Sequence, residues 1–211
     1  MDTWLSPVLA WLHDILTTPL SLHEPMNASE LSLSQLSAQQ KLVEMEFYFP
    51  VSQFRASQLN ALLRQHPCLT VPFGDVDFAQ LKGMLKGFVD LIFEWQGQYF
   101  ILDYKSNHLG DDETAYHPQA VHMAMAKNRY DVQMVIYTLA LHRMLKLRIS
   151  NYDYDQHIGG GYYLFLRAMG PNQREPYGQY FHKPDRALIE ALDQLISDPL
   201  FNASETAQEG I

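Results

Sequence analysis

Apolar residues recur at helical spacing near the start of the chain. Trp4, Val8, Leu9, Trp11, Leu12, Ile15 and Leu16 line one face over residues 4–19, and Pro19 closes that segment. The stretch 21–40 is rich in Ser, Asn and Gln and reads as a loop with short ordered parts. Residues 41–51 alternate well enough for a strand, which sets Glu44 and Glu46 on one face and Val43, Met45 and Phe47 on the other. A short helix is expected over 56–65, and Pro67 and Pro72 bracket a loop. Residues 82–105 read as two strands joined by a tight turn centred on Gln96-Gly97. After a polar loop, Pro118 opens a helical region that runs to about 148, in one piece or two. The glycines at 159–161 read as a turn, residues 162–169 as a buried strand, residues 184–196 as a helix, and the polar end as a fraying tail.

The hairpin carries the chemistry. Pairing outward from its turn sets Trp95 opposite Gln98 and, in the same register, Asp90 opposite Asp103. Directly opposed residues on one sheet face have Cβ atoms roughly 4.5–5.5 Å apart. Two carboxylates so placed repel each other unless a cation lies between them. Lys105, two residues beyond Asp103, points to the same face. That face would carry Phe88, Asp90, Ile92 and Glu94, while Val89, Leu91 and Phe93 pair with Tyr104, Leu102 and Phe100 as an apolar layer beneath a helix. A D-x-K on a strand is often no more than a solvated edge. An aspartate between Val89 and Leu91, however, is costly in a sheet unless something binds it. Two carboxylates and a lysine on one face suit a divalent-metal hydrolytic site. The ion would be hard and oxygen-loving, such as Mg²⁺, with Mn²⁺ or Ca²⁺ as substitutes. Lys105 would orient or deprotonate a water, or stabilise developing negative charge; the pattern leaves these alternatives open. Glu44 either completes the site from a neighbouring strand or is an exposed edge carboxylate. Gln133 and Tyr137 stand one helical turn apart, on a line that begins at Arg129, and could donate to phosphate oxygens.

Composition narrows the function classes. Of 211 residues 47% are hydrophobic, which suits one well-packed domain and excludes disorder. No apolar run is long enough to cross a bilayer, and the acidic amphipathic start lacks the features of a secretory signal. The single cysteine, Cys68, rules out an internal disulfide and a thiolate zinc site and fits a cytoplasmic setting. A net charge of −9 argues weakly against a free-standing nucleic-acid binder, although Lys82, Lys86 and Lys105 lie near the site and Lys127, Arg129, Arg143, Lys146 and Arg148 follow it. There is no Walker A loop, no G-x-S-x-G elbow and no HExxH, so ATP hydrolysis, acyl transfer and zincin chemistry have no support. His108, His117 and His122 are expected at the surface.

The segments GMLKGFVDLIF, ILDYKSNHLG, NRYDVQMVIYTLALHRML and YDYDQHIGGGYYLFLR, in this order, resemble the C-terminal nuclease domain of RecB-type helicase–nucleases. These form a branch of the PD-(D/E)xK nucleases, and the resemblance runs from about Trp4 to about Ala191. It implies an α/β, restriction-endonuclease-like fold, with a mixed central sheet flanked by helices. One domain over 1–211 is expected: a helical extension over 1–40, a catalytic core over 41–170, and a C-terminal helix and tail over 171–211. It further implies Asp90 and Asp103 as metal-binding catalytic carboxylates, the backbone carbonyl of Tyr104 as a further ligand, and Lys105 as the catalytic lysine. Glu44 corresponds to the acidic residue of the first core strand, and Gln133 and Tyr137 to the Q-x-x-x-Y motif; Arg129 joins them as an expected DNA contact. The implied activity is Mg²⁺-dependent cleavage of DNA during double-strand-break repair and recombination. The implied partners are DNA single strands and duplex ends, the helicase part of RecB, and RecC- and RecD-like subunits. The family usually carries a metal-binding histidine on a helix before the first core strand. His13 lies in the first helix, but its surroundings do not match that motif, which puts activity of this segment alone in question. A catalytically impaired module that binds DNA or a partner subunit is the alternative.

Overall fold

A computed structural model describes residues 4–21, 31–71, 74–170 and 176–197. Pro72, the centre of the 21–40 loop and the expected frayed tail lie outside the described residues. The elements are α1 (Leu5–Thr17), β1 (Lys41–Phe54), α2 (Ala56–Gln65), β2 (Leu81–Trp95), β3 (Gln98–Lys105), α3 (Pro118–Lys127), α4 (Tyr130–Arg148), α5 (Tyr154–His157), β4 (Ile158–Phe165), β5 (Gln179–His182) and α6 (Arg186–Ser197). The five strands form one mixed sheet in the order β1-β2-β3-β4-β5. Only the β3–β4 pair is parallel. The expected α/β architecture with a mixed sheet is therefore what the chain adopts.

Two apolar layers flank the sheet. The large one packs α2, α3, α4 and α6 on one face, through residues such as Leu59, Met125, Leu139 and Leu192. Helix α6 buries Leu188, Ile189, Leu192, Leu195 and Ile196 along a single stripe, each worth about 1.5–3 kcal/mol of apolar burial. The small layer stacks Phe93 on Phe100 and adds Leu91, Leu102 and Tyr162 from the other face. It is covered by Ile15 of α1 and by Leu20, Leu31, Leu33 and Leu36. Much of the apolar stripe of α1 still faces outward, as Leu5, Leu9 and Leu12 show. Among the described residues, no helix is long and apolar enough to cross a membrane.

The glycine run corrects one expectation. Gly159, Gly160 and Gly161 belong to β4, which is buried along its whole length, rather than to a turn before it. A Cβ on Gly159 would stand 2.3 Å from the Phe100 ring, and one on Gly161 would stand 2.8 Å from Ile101. The glycines let a central strand lie against bulky neighbours on both sides. Strand β5 was not anticipated at all; its four residues are too few to show a period.

His142 on α4 yields a pH prediction. It is buried and its Nδ1 lies 2.8 Å from the Tyr152 hydroxyl. Burial holds its pKa below the ordinary 6.5. The unfolded chain therefore takes up a proton that the fold refuses, and the stability due to this neutral imidazole is present above 6.5 and lost as pH falls below it. Urea melts at about pH 7 and about pH 5 should show stability falling with acidification, and His142→Gln should flatten that slope. An unchanged slope in the variant would assign the acid sensitivity to other groups.

Candidate active site

The hairpin turn forms as its sequence demands. Gln96 and Gly97 both have positive φ, 52° and 81°, the pattern of a two-residue turn matched to strand twist. Trp95 pairs with Gln98, and the ladder continues without a slip to Leu91 and Leu102. One step further the same register puts Asp90 across from Asp103, and there the strands part. In place of a ladder bond, the Tyr104 N–H donates to Asp90 Oδ2 at 2.9 Å. The fork of β2 and β3 thus holds one carboxylate on each arm.

The neighbouring strand is distorted at the same level. Val43 pairs with Leu91 and Met45 with Val89, so Glu44 stands across from Asp90. Glu44 has φ of 51°, a left-handed conformation that a non-glycine residue rarely adopts. The alternation of faces breaks here. Leu91 lies in the small apolar layer, whereas Val89 lies in the large one, with Met45 packed beside it. This corrects two expectations. Val89 does not continue the layer of Leu91 and Phe93, and Ile92 is not on an open face but buried against the helices. Simple two-residue alternation cannot foresee a local reversal. Non-glycine strain of this kind typically costs about 1–3 kcal/mol and concentrates at functional sites.

Asp103 and Lys105 project from β3 toward α4. Lys105 Nζ is 2.5 Å from Asp103 Oδ2 and donates to Gln133 Oε1 at 2.8 Å. Gln133 Nε2 donates to Asp103 Oδ1 at 3.2 Å and to the Tyr137 hydroxyl at 2.8 Å. These contacts fix the amide orientation, since a flipped amide would aim its NH₂ at an ammonium. Asp103 is 4% exposed and Lys105 8%. Burial pushes the Asp103 carboxyl up; the hydrogen bond and charge of Lys105 oppose this, and the Asp90 charge adds to it. Burial likewise raises the Tyr137 phenol, against the Gln133 hydrogen bond and with the charges of Asp103 and Asp90. The Tyr104 phenol is raised by burial and by Asp90.

Of the residues singled out in the sequence, Asp103, Lys105, Gln133 and Tyr137 therefore form one network, and Asp90 stands beside it, bonded to the Tyr104 N–H. Glu44 is exposed, across the sheet from Asp90. Arg129 is placed differently from the other helix residues. It precedes α4 with φ of 52°, its guanidinium pairs with both oxygens of buried Asp131 at 3.0 and 3.1 Å, and it donates to the Gly74 carbonyl. His13 lies exposed on α1. Sequence reasoning missed Tyr130 and Tyr163, whose rings lie 3.8 and 5.0 Å from Lys105 Nζ. Tyr130 was open to discovery, being three residues before Gln133 on the same helix face. Tyr163 was not, because it reaches the site only through the parallel pairing of β3 with β4.

The donor set suits a hard divalent ion. Among the described residues, no three His, Cys, Asp or Glu side chains gather as a complete cage. Mg²⁺ usually takes only one or two carboxylates, with water and substrate oxygens for the rest. The half-buried Asp90 and the buried Asp103, whose charges repel, meet that requirement. The contacts to Lys105 and Gln133 leave further lone pairs on Asp103 for a ligand.

The chain is similar to RecBCD enzyme subunit RecB from Escherichia coli K12, with 46% identity over 195 residues, or 92% of this chain and 16% of the relative. It is 37% identical to RecB of Haemophilus influenzae over 193 residues, 91% of this chain and 15% of the relative. It is 30% identical to RecB of Mycobacterium tuberculosis H37Rv over 216 aligned residues, 91% of this chain and 19% of the relative. The chain thus spans less than a fifth of the length of these relatives. Residues 13–209 match the family model of the PD-(D/E)XK nuclease superfamily, and the chain belongs to that superfamily.

Proposed function

We propose that this chain is the nuclease module of a RecBCD-type helicase–nuclease, a Mg²⁺-dependent deoxyribonuclease acting in the cytoplasm during double-strand-break repair. The observation that carries the reading is the fork itself: Asp90 and Asp103 on its two arms, with the Lys105 ammonium 2.5 Å from Asp103. The similarity to RecB proteins extends it to DNA single strands and duplex ends as substrates. It also extends it to a RecB helicase segment and RecC- and RecD-like subunits as partners. Mn²⁺ and Ca²⁺ are ions the same oxygens would accept.

In this reading Asp90, Asp103 and the Tyr104 carbonyl hold the ion. When bound, it lowers the pKa of a water and offsets charge on the scissile phosphate. Lys105 presents an ammonium to the developing negative charge or to the attacking water, and Gln133 holds Lys105 and Asp103 in register through both ends of its amide. Tyr137 fixes Gln133 from one turn further along α4. Glu44 reaches the site from β1, directly or through water. Arg129 serves DNA binding indirectly, by fixing the start of α4.

A catalytically impaired module is the second reading, and the complete Asp90, Asp103, Lys105 set disfavours it. The test compares single-stranded DNA, duplex ends and mononucleotides with Mg²⁺ or EDTA. Cleavage of DNA with Mg²⁺ alone, and none of mononucleotides, is expected. Mg²⁺ at about 100 times its Kd should also raise Tm by roughly 5–10 °C. A Tm shift with no cleavage of any DNA would favour the impaired module; neither shift nor cleavage would remove the metal site altogether.

A further inference from the structure

We propose that Tyr130 and Tyr163 form an aromatic seat that positions the Lys105 ammonium without competing for the metal. This rests on the reading of Lys105 as the working cation of the site and adds two residues to it.

Lys105 Nζ lies 3.8 Å from the centre of the Tyr130 ring and 5.0 Å from that of Tyr163. The two rings stack, with centroids 5.9 Å apart and 30° between planes. Each is held from a different direction. Tyr163 pairs with Asp103 across β3 and β4 and is fully buried. Tyr130 is the first residue of α4, and its hydroxyl donates to Asn107 Oδ1 at 3.2 Å. The bend that presents Tyr130 is made by Arg129 in its left-handed conformation, clamped on Asp131. The Tyr163 hydroxyl has no hydrogen-bond partner among the described residues. What Tyr163 offers the site is therefore its ring face.

The choice of aromatic rings has a physical reason. A third carboxylate would also hold an ammonium, but it would bind a hard divalent ion and neutralise the charge that the reaction needs. An aromatic face attracts the ammonium through its quadrupole, most strongly where water is excluded. It has no oxygen lone pair directed at a hard ion. Once Asp103 shares its charge with an ion, its grip on Lys105 weakens, and the rings together with Gln133 keep the ammonium in place. Tyr130 and Tyr163 are thus positioning residues acting through Lys105.

The test reads the ammonium directly. In metal-free protein with labelled lysines, the Lys105 ε-methylene signal, identified by its loss in Lys105→Met, should lie upfield of the main lysine signals because of the ring current. Tyr130→Leu, which removes the nearer ring and leaves Tyr163, should sharply reduce that displacement and lower kcat on single-stranded DNA roughly tenfold or more, with KM nearly unchanged. Tyr130→Phe and Tyr163→Phe keep the rings and should retain both the displacement and kcat. An undisplaced Lys105 signal in the native chain overturns the seat, whatever the variants do. So does a Tyr130→Phe loss equal to that of Tyr130→Leu, which would assign the effect to the Asn107 hydrogen bond. If Lys105→Met cleaves like the native chain, the functional reading of Lys105 fails. If Lys105→Met is inactive while Tyr130→Leu keeps full kcat, only the seat fails.

Discussion

Asp103→Asn is expected to lower DNA cleavage by about 10³-fold or more while leaving the chain folded. Holding a divalent ion at the scissile phosphate supplies several kcal/mol of charge stabilisation, and each 1.36 kcal/mol is a factor of about ten in rate. Asparagine is the informative replacement. Its single oxygen can still accept from Lys105, which lies 2.5 Å from Asp103 Oδ2 in the native chain, while its NH₂ takes the place of Oδ1 and gives up the 3.2 Å bond from Gln133. Alanine would leave a buried ammonium with no counter-charge, a loss on the order of 3–5 kcal/mol that confuses catalysis with folding. Two terms oppose each other in the stability of Asp103→Asn. Burial disfavours the native carboxylate, as the direction of its pKa shows, so losing the charge removes a cost. Losing the charge also leaves Lys105 with a weaker partner. The terms partly cancel, and Tm in the absence of metal should move little. The upward Tm shift on adding Mg²⁺ should vanish. Cleavage at more than about a tenth of the native rate would remove Asp103 from the machinery, since a metal-holding carboxylate cannot be worth so little.

The same reasoning extends to Asp90. Its oxygen accepts the Tyr104 N–H where the two strands part, so it closes the ladder as well as carrying charge. This double use explains how an aspartate is tolerated beside Leu91 and Val89, both of them buried. The structure meets the demand for a backbone partner, and the repulsion from Asp103 remains for an ion to relieve.

Most of this arrangement was legible in the chain because it is local. The hairpin register follows from Gln96-Gly97 and strict pairing outward, and it holds from Trp95 to Leu91. The break between α3 and α4 and the opening of α3 by Pro118 follow from local chemistry. Features that depend on distant partners were not legible. The glycines of β4 look like a turn until Phe100, Ile101 and Phe181 are seen pressing on them. Tyr163 meets Lys105 only because β3 and β4 pair in parallel across a long stretch of sequence. The reversal of faces at Glu44 and Asp90 needs a glutamate in a glycine-like conformation, which no side-chain pattern announces. Arg129 shares a spacing with Gln133 and Tyr137, yet it lies outside the helix, and its charge is answered by Asp131.

Lys105→Met should separate what the lysine does from what the carboxylates do. The substitution keeps an unbranched side chain of similar length in the space between Asp103, Gln133 and the two tyrosine rings, and removes only the ammonium. A fall in kcat of about 10²–10³-fold is expected, the usual scale for losing one preorganised electrostatic donor, with KM for DNA little changed. The metal response should run opposite to that of Asp103→Asn. In the native chain Lys105 lowers the Asp103 pKa through a hydrogen bond and through its charge. Without it the buried carboxylate has lost its counter-charge and should be harder to ionise, so the metal-free variant should melt below the native chain. A divalent ion then becomes the only cation able to answer both aspartates, and no ammonium is left to repel it. Mg²⁺ should therefore raise the Tm of Lys105→Met at least as much as that of the native chain, in a protein that scarcely cleaves. Thermal melts and single-turnover cleavage on the same preparations measure both quantities. If the variant lost metal binding along with activity, the lysine would be supporting the carboxylates structurally, and the direct charge-stabilising role assigned to its ammonium would be wrong.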